Sequence, residues 1–369
     1  MKKIVILATY VGIVNRGAET FVIELVKKLE QYYDIEVYSL GVDESIKEKI
    51  IKVDVNFPFW YKFHTSIYNK FHLYKVLCDR AYFAIPTIID QHIFTTLVYK
   101  KYLKDRKDID LLFPNNGSNG AKMARLIKNK YNIPFIYTGH GGIGDGERRI
   151  LNQKPDIYIA LNETHKRWAI SQYHNIIKIH NGVDVNSFKP KFIEKDKKSK
   201  TVLCVGAFIE LKRQKLLIDA VSILNNVNLI LLGSGKLYDE LKAYGHAKLG
   251  SRFEIKSVAY NDIYKYYEKS DLFSLPTKEE PFGIVYLEAM SMNLPIVAPD
   301  DESRREIISE AGLFCDVENP EKYAESILKA LNMDWKSIPR DRAINNFDWS
   351  MIAKTYRNEI DKLLAFNKL

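Results

Sequence analysis

The chain has 369 residues, of which 46% are hydrophobic and 27% charged, and this composition excludes disordered, collagen-like and coiled-coil proteins. Its length predicts two domains of about 150 to 200 residues each. The three cysteines are an odd number without CxxC spacing, so they favour neither a disulfide framework nor a zinc site and fit a reducing cytosol. We therefore expect a cytoplasmic, globular protein.

The positive charge is concentrated in the first half of the sequence. Residues 1–183 contain 27 Lys and Arg against 18 Asp and Glu, whereas the remainder contains 28 of each. Within the first half, residues 57–107 hold nine basic and three acidic residues together with many aromatic ones. This stretch either makes a peripheral contact with an anionic membrane, on its inner face, or is a packed helical insertion with solvated lysines.

The first half begins with a pattern typical of a βα unit. An apolar strand, Lys3 to Thr9, is followed by the turn Arg16-Gly17-Ala18-Glu19 and then by apolar residues at helical spacing. The run from Ile4 to Val14 is about half the length of a membrane span, so we interpret it as this strand. Further strands are predicted at Ile35–Leu40, Ile109–Phe113, Ile133–Thr138, Ile157–Leu161 and Ile176–Ile179.

The alternation of strands and helices restarts after a polar, lysine-rich segment, Lys189 to Lys200, which has the composition of a linker. It predicts an N-terminal Rossmann-like domain, 1–183, and a C-terminal one, 184–349, with a terminal helix, about 350–369, packing back on the first. Six strands are predicted in the second domain: Thr201–Phe208, Asn228–Leu232, Arg252–Lys256, Leu272–Leu275, Pro295–Ala298 and Gly312–Cys315.

The predicted fold class is α/β, with two doubly wound parallel sheets facing a central cleft. Ligands of such sheets bind beyond the carboxyl ends of the strands. Residues in the turns that follow strands are therefore the candidates for chemistry, and three clusters of them are present.

The first cluster follows the strand that ends at Leu275 and runs from Pro276 to Met290. Pro281 stands where proline favours the first turn of a helix, so the amides of Phe282, Gly283 and Ile284 are predicted to form an anion site. Glu288, inside this apolar helix, needs polar partners. These are either the vicinal hydroxyls of a sugar such as ribose, or solvent and a nearby lysine.

The second cluster is the first strand-to-helix turn of the second domain, from Val205 to Gln214. Gly206 gives a ligand room there, and Lys212 with Arg213 is predicted to lie at the helix start, where basic residues oppose the helix dipole. This placement indicates either a bound anion such as a diphosphate or a solvated charge pair.

The third cluster, Thr138 to Gly144, places His140 on a glycine-rich loop after a strand. The glycine spacing matches G-x-G-x-x-G, but the segment up to Pro155 leaves little room for the long helix of a dinucleotide site. His140 is either a polar contact to a substrate or a structural histidine.

Other short signals carry little weight. The eight histidines show no zinc spacing and no HExxH occurs, so no metal site is predicted. Two N-x-S/T sequons, at Asn116 and Asn162, are interpreted as chance.

Together these motifs resemble glycosyltransferase family 4, whose members are retaining enzymes with the two-domain GT-B fold. Glu280-Pro-Phe-Gly-Ile-Val-Tyr-Leu-Glu288 is similar to the E-x7-E signature of that family, and Arg16–Glu19 to its N-terminal glycine loop. Similar segments continue through the histidine turn, through His180–Asp184 and through Asp271–Thr277. The resemblance covers nearly the whole chain.

The resemblance implies a sugar transfer from a nucleoside-diphosphate sugar to a hydroxyl acceptor, such as a glycan or a lipid-linked sugar, without a cofactor or metal. It implies that Glu288 binds the nucleotide ribose and Glu280 the donor sugar, and that His140 borders the reacting sugar. The diphosphate would be held by Lys212 and the amides from Phe282 to Ile284, and Gly17 would let the donor phosphate or the acceptor approach.

The sequence departs from the family pattern at several positions. Ala207 stands where arginine is frequent, and Arg213 is our hypothesis for its replacement. Arg16 precedes Gly17 where two glycines are usual, and Asn293 replaces a glycine after the signature helix, where asparagine also tolerates a left-handed backbone.

Two other function classes remain to be compared. One is an NAD-dependent dehydrogenase, based on the glycine spacing at 139–144. The other is a basic nucleic-acid-binding protein, although the charge follows no groove-reading element, and we expect no nucleic acid among the partners.

Overall fold

The computed structural model describes residues 1–14, 17–55, 81–115, 117–191 and 199–366, and for 81–89 and 261 the backbone alone. The chain divides into two compact units. Unit 1 comprises Met1–Ile159, Trp168–Ile177 and Tyr356–Leu369, and unit 2 comprises Ala160–Arg167 and Lys178–Thr355. The division therefore differs from the predicted one after residue 183, because short segments before it pack with unit 2.

Unit 1 is built on parallel strands in the order β3-β2-β1-β4, and an isolated parallel bridge from Leu112 to Phe135 leads on to β5-β6-β7. The strands in chain order are β1 (Lys2–Ala8), β2 (Tyr33–Ser39), β3 (Ile50–Lys52), β4 (Leu111–Asn115), β5 (Ile136–Thr138), β6 (Ile157–Ala160) and β7 (Ile176–Lys178). Five consecutive residues of β1, from Ile4 to Ala8, are buried, as expected for a parallel strand covered on both faces.

Helices connect these strands. They are α1 (Gly17–Leu29), α2 (Ala81–Val98), α3 (Ser118–Tyr131), α4 (Asp145–Leu151) and α5 (Glu163–Ile170), with a 3-10 helix at Glu44–Lys49 and a π-helix at Tyr99–Leu103. The short edge strand β3 was not predicted, because Ile50 to Lys52 offers too few residues for a strand pattern. Gly17 begins α1, whereas Arg16 lies outside the described residues.

Only part of the basic, aromatic stretch 57–107 falls within the described residues, which resume at 81. There, Phe94 and Leu103 are buried while Lys100 and Lys101 are exposed. This end of the stretch thus packs its apolar side chains and solvates its lysines.

Unit 2 contains a six-stranded parallel sheet in the order β10-β9-β8-β11-β12-β13. Its strands are β8 (Lys200–Val205), β9 (Val227–Leu232), β10 (Phe253–Lys256), β11 (Leu272–Ser274), β12 (Ile296–Pro299) and β13 (Gly312–Cys315). All six strands predicted for the second domain are present, and the parallel α/β prediction is confirmed.

Eight helices accompany this sheet in the described part of the sequence after 199. They are α6 (Gln214–Ile223), α7 (Tyr238–Leu249), α8 (Tyr264–Lys269), α9 (Ile284–Ser291), α10 (Glu302–Ile308), α11 (Pro320–Asn332), α12 (Ile338–Phe347) and α13 (Trp349–Phe366). Four 3-10 turns lie between them, at Glu210–Lys212, Gly250–Arg252, Tyr260–Asp262 and Ser309–Ala311. Of the predicted linker, residues 192–198 lie outside the described residues.

The pairing of β8 with β11 fixes where the unit 2 loops meet. Leu272 is aligned with Val202 and Phe273 with Leu203, so both strands run in one direction and end at the same edge of the sheet. The turn that begins at Gly206 and the loop that begins at Leu275 therefore leave the sheet side by side.

The terminal helix α13 contributes to both units, with residues up to Thr355 in unit 2 and those from Tyr356 in unit 1. Within unit 1, the hydroxyl of Tyr33 donates to Asp361 at 2.6 Å and the guanidinium of Arg357 lies 3.7 Å from the ring centre of Tyr32. Among the described residues, no helix is both long and apolar enough to cross a membrane.

Candidate functional site

An ion pair joins the first two clusters of candidate residues. The Lys212 ammonium donates to Oε2 of Glu280, and the two side chains are 19% and 12% exposed. Lys212 follows β8 and Glu280 follows β11, the neighbouring strand. The two charges are thus brought together by the sheet, although 68 residues separate them in sequence.

The two basic residues after β8 directly precede the helix, as predicted, and Arg213 is its N-cap residue. Lys212 ends a 3-10 turn, and Arg213 follows in the left-handed conformation with φ +51° before α6 begins at Gln214. Lys212 and Arg213 therefore do not lie in the first turn of an α-helix. The change of backbone direction at Arg213 separates their side chains and gives them different partners.

Arg213 is held by other groups of unit 2. Its Nε donates to the carbonyl of Pro276 at 2.8 Å, and its guanidinium pairs with the exposed Glu318 at 2.7 Å. The arginine thus links the turn after β8 to the loop after β11. Ala207, where the family pattern often has arginine, is exposed.

The signature helix, α9, starts later than predicted. α9 begins at Ile284, not at Pro281, because Gly283 adopts a left-handed backbone with φ +83° and ψ +68°. A Cβ at Gly283 would lie 2.5 Å from the Tyr286 ring. Glycine is therefore required here by the fold itself.

The loop between β11 and α9 is braced from the protein interior. Arg304, 3% exposed, donates to the carbonyl of Thr277 at 2.6 Å and pairs with Asp301. The hydroxyl of Tyr286 donates to the carbonyl of Leu275 at 3.0 Å. These partners fix the loop that carries Glu280. Sequence reasoning missed Arg304, since it follows the next strand along the chain, β12.

Asn162 is a second residue that sequence reasoning missed. It is buried, its amide donates to the carbonyl of Pro281 at 2.7 Å, and its Oδ1 accepts the backbone N–H of His165. Asn162 therefore anchors the approach to α9 from a segment that precedes the predicted domain boundary. A neighbouring carboxylate, Glu306, accepts from Lys178 and His180 in the same unit, and these bonds explain why the segments 160–167 and 178–183 belong to unit 2.

Glu288 lies on the buried side of α9 and is 3% exposed. Its two carboxylate oxygens accept from the hydroxyls of Tyr260, at 3.0 Å, and Tyr267, at 2.8 Å. Burial raises the pKa of Glu288, and the two tyrosine hydroxyls oppose that rise. The alternative interpretation expected solvent and a lysine as partners of Glu288. In this structure its partners are instead two tyrosines from the segment before β11.

Gly206 lies in the turn just after β8, and Asn293 lies just after α9. A Cβ at Gly206 would meet Leu275 at 3.7 Å and Lys212 at 4.0 Å, both ordinary contact distances, so packing does not require glycine at this position. Asn293 has φ +59°, the left-handed conformation that the sequence led us to expect after the signature helix. Its amide donates to the carbonyl of Lys336 at 2.7 Å.

His140 lies in unit 1, just after β5. Its ring contacts the ring of Phe21 edge to face, with 4.7 Å between centroids. Phe21 is in turn 5.5 Å from the ring of Tyr356, whose hydroxyl shares a hydrogen bond of 3.1 Å with Thr138. The terminal helix, more than two hundred residues further along the chain, thus supports the strand that leads to His140. Gly17 is exposed at the start of α1, the helix that carries Phe21.

Comparison with known proteins shows similarity to glycosyltransferases. Residues 185–347 match the family described as Glycosyl transferases group 1. An uncharacterized glycosyltransferase of Methanocaldococcus jannaschii is 26% identical over 88% of this chain and 86% of its own length. A phosphatidyl-myo-inositol mannosyltransferase of Mycobacterium tuberculosis is 27% identical over 69% of this chain and 74% of its own length.

Solved structures show the same fold. Anabaena HepE, in complex with UDP and glucose, has a TM-score of 0.74 at 18% identity and covers 98% of this chain and 100% of its own. A sucrose-phosphate synthase from Thermosynechococcus elongatus has a TM-score of 0.74 at 17% identity and covers 99% and 100%.

The parallel sheets, the signature helix and these matches define a glycosyltransferase with the GT-B fold, as the sequence predicted. The enzyme transfers a sugar. More particularly, residues 185–347 are the part of the chain that is similar to the family described as Glycosyl transferases group 1. The matches support neither the dehydrogenase nor the nucleic-acid-binding alternative.

Proposed function

We propose that the enzyme is a retaining, metal-independent glycosyltransferase of family 4 that uses a nucleoside-diphosphate sugar as donor. The observation that carries this proposal is the Lys212–Glu280 ion pair, beside the start of α9. The proposal is supported by the complexes of Anabaena HepE with UDP and glucose and with UDP-glucose.

The ion pair supplies a cation where negative charge would develop. Breaking the bond between a sugar and a diphosphate leaves negative charge on the leaving group, and preorganised donors aimed at that charge contribute about 2 to 4 kcal/mol each. Lys212 and the amides of Phe282, Gly283 and Ile284 take this role in the proposal. Glu280, released from Lys212, then accepts from hydroxyls of the donor sugar.

Glu288 would bind the ribose of the donor. Its carboxylate has about four lone-pair directions, and the two tyrosine bonds leave capacity for vicinal hydroxyls. In the same proposal, His140 borders the reacting sugar and Gly17 gives the donor phosphate or the acceptor room at the start of α1. Attack on the same face of the sugar, with the leaving phosphate taking the acceptor proton, would give retention.

Arg213 is proposed as a further contact to the diphosphate, in place of the arginine absent at Ala207. It would have to give up Glu318, an exposed partner, so the exchange would cost little. Gly206, where a side chain is absent and none is needed for packing, would let the diphosphate reach this turn.

A donor screen tests the proposal. Thermal unfolding would be followed with UDP, GDP and ADP and their glucose or mannose derivatives, because a ligand that binds only the folded state raises its stability. We expect one nucleotide series to raise Tm and to be turned over in the presence of EDTA. No stabilisation by any nucleotide, or full loss of turnover in EDTA, would contradict the donor class or the metal independence, respectively.

Variants in the same assay separate the assigned contacts. Glu288→Gln should weaken the selected nucleotide about ten- to hundredfold, since a hydrogen bond to a charged group contributes about 1.5 to 3 kcal/mol, and should leave inorganic pyrophosphate unaffected. Arg213→Ala should weaken both ligands. Equal affinity in Arg213→Ala and wild type would remove Arg213 from the site.

The acceptor is proposed to be a hydroxyl of a glycan or of a lipid-linked sugar, and the basic stretch 57–107 to contact an anionic membrane. One supporting observation is the similarity to a phosphatidyl-myo-inositol mannosyltransferase. Sedimentation with phosphatidylglycerol vesicles should show binding at low salt that weakens at high salt. Absence of binding at both salt concentrations would favour the packed insertion.

A further inference from the structure

A buried carboxylate that the proposed reaction does not use lies directly behind the His140 loop. Glu147, on α4, is 5% exposed. Its Oε1 accepts the backbone N–H of Gly141 at 2.8 Å, and its Oε2 accepts the hydroxyl of Tyr158 at 2.7 Å. The residue bound by Glu147 is therefore the one that follows His140.

Gly141 lies in close contact with the Glu147 side chain. A Cβ at Gly141 would lie 2.7 Å from Oε1 of Glu147, so the backbone and the carboxylate are in direct contact. On the other side of the histidine, the N–H of Gly139 donates to the carbonyl of Ile159 at 2.9 Å. His140 is thus held between an anchor on β6 and an anchor on α4.

The groups around Glu147 make its protonation sensitive to neutral pH. Burial raises the pKa of Glu147 to about 7, and the bonds from Tyr158 and Gly141 oppose the rise. Tyr158 on β6 and Tyr137 on β5 are titratable groups that face it, and burial raises the pKa of both. His140, next to Gly141, is a further titratable side chain of the loop. On α4 itself, Asp145 and Arg148 form an exposed pair at 3.0 Å.

The two protonation states hold the loop differently. Ionised Glu147 accepts two charge-assisted hydrogen bonds, which are roughly twice as strong as neutral ones. Once protonated, one oxygen becomes a donor and must turn to the oxygen of Tyr158, and the bond from Gly141 then ends on a neutral carbonyl. The anchor next to His140 is therefore weaker in acid.

We propose that Glu147 is a positioning residue for the transfer reaction, which holds His140 through the backbone of Gly141 and makes the placement of His140 depend on pH. This inference rests on the proposed function, because it takes His140 to border the reacting sugar. Glu147 itself touches neither donor nor acceptor in the proposal.

The first experiment needs no substrate. His140-Gly141 is the single His-Gly step in the sequence, so labelling carbonyl carbons of histidine and amide nitrogens of glycine isolates one NMR signal, the Gly141 amide. We expect its shift to titrate with a midpoint near pH 7 in the wild type and to lose that step in Glu147→Gln. A wild-type signal that is constant from pH 5.5 to 8.5 would overturn the inference.

A matched control carries the same kind of contact elsewhere in unit 1. Asp156, just before β6, accepts the backbone N–H of Phe135 at 2.9 Å and pairs with Lys128. It anchors the amino end of β5, whereas Glu147 anchors the loop at its carboxyl end. Asp156→Asn should keep the Gly141 titration unchanged and keep wild-type kcat.

The second experiment measures turnover of the nucleotide sugar that the donor screen selects. Glu147→Ala should lower kcat about tenfold with little change in KM, because a small displacement of a reacting group is costly. Glu147→Gln should recover most of that loss and flatten the pH profile of kcat near pH 7. If Glu147→Ala fails to fold, Glu147→Gln alone decides through the pH profile.

The outcomes separate the two proposals. If His140→Ala keeps wild-type kcat, the proposed role of His140 is wrong. If His140→Ala loses activity while both Glu147 variants behave like Asp156→Asn, the function stands and the positioning role of Glu147 is overturned.

Discussion

The two strand-end loops that carry the candidate residues are stabilised in opposite ways. The loop after β11, in unit 2, is held by Arg304 and Asn162 while its charged residue Glu280 pairs with Lys212 at a partly exposed position. The His140 loop, in unit 1, is held by one buried carboxylate, Glu147, whose charge is costly to maintain. In the first loop the charged side chains can change partners, whereas in the second a buried charged side chain fixes the position of the backbone.

This difference has a chemical meaning. Lys212 and Glu280 are each other's partners and remain partly accessible, at 19% and 12%, so each can exchange its partner for contacts to a ligand, which suits a site that binds and releases a diphosphate sugar. A buried carboxylate bound to a backbone amide cannot be exchanged so cheaply, which suits a fixed support. Variants can test each side of this comparison.

The largest effect is expected at the exchangeable pair. Lys212→Ala and Glu280→Ala should each lower turnover at least about tenfold, because in the proposed function Lys212 is a donor to the leaving group and Glu280 a contact to the sugar. Since the two side chains are only 19% and 12% exposed, each variant should also lower the free energy of unfolding while remaining folded. Turnover of the selected donor and urea unfolding measure the two quantities.

Lys215→Ala is the control for this experiment. Lys215, on α6, pairs with Glu240, and the side chains are 46% and 53% exposed. This substitution removes a Lys–Glu ion pair that is more exposed and lies outside the site, so turnover should stay at the wild-type value. Near-normal turnover in both Lys212→Ala and Glu280→Ala would refute the assigned roles.

The next effect concerns the fixed support and its dependence on pH. The pKa of Glu147 is raised in the folded state from its ordinary value of 4.5 to about 7. Its contribution to stability is therefore complete below pH 4.5 and is lost as pH rises through 7, in total about 3 kcal/mol. Urea unfolding of wild type and Glu147→Gln across this range should show the loss in the wild type alone. Parallel curves would mean that Glu147 titrates normally.

The smallest effects are expected at two glycines, of which the fold requires one, Gly283, and does not require the other, Gly206. Gly283→Ala should destabilise the enzyme by about 1 kcal/mol or more, since its φ is +83° and its Cβ would meet Tyr286. Gly206→Ala should change the free energy of unfolding by less than about 0.5 kcal/mol. It should instead lower the affinity for the donor. Thermal unfolding and donor affinity distinguish the two, and equal donor affinity in Gly206→Ala would place the diphosphate elsewhere.

Much of the fold could be read from local pattern. Buried parallel strands are continuous apolar runs, so β8 to β13 were located to within a few residues. The compact units differ from the predicted domains at segment 160–167, which packs with unit 2 through contacts such as the Asn162–Pro281 hydrogen bond that composition does not indicate. The start of α9 was misplaced because proline at 281 signals a helix, whereas the left-handed Gly283 delays it.

The amino-acid sequence by itself determined the parallel α/β architecture and the identity of Lys212, His140, Glu280 and Glu288 as candidates, because strand period, glycine turns and the E-x7-E spacing are local properties. Only the tertiary structure decided what these side chains contact: Lys212 with Glu280, Tyr260 and Tyr267 with Glu288, and Glu147 behind His140. Hydrogen bonds and burial join residues that are distant along the chain, and their energies depend on distances that no local pattern contains.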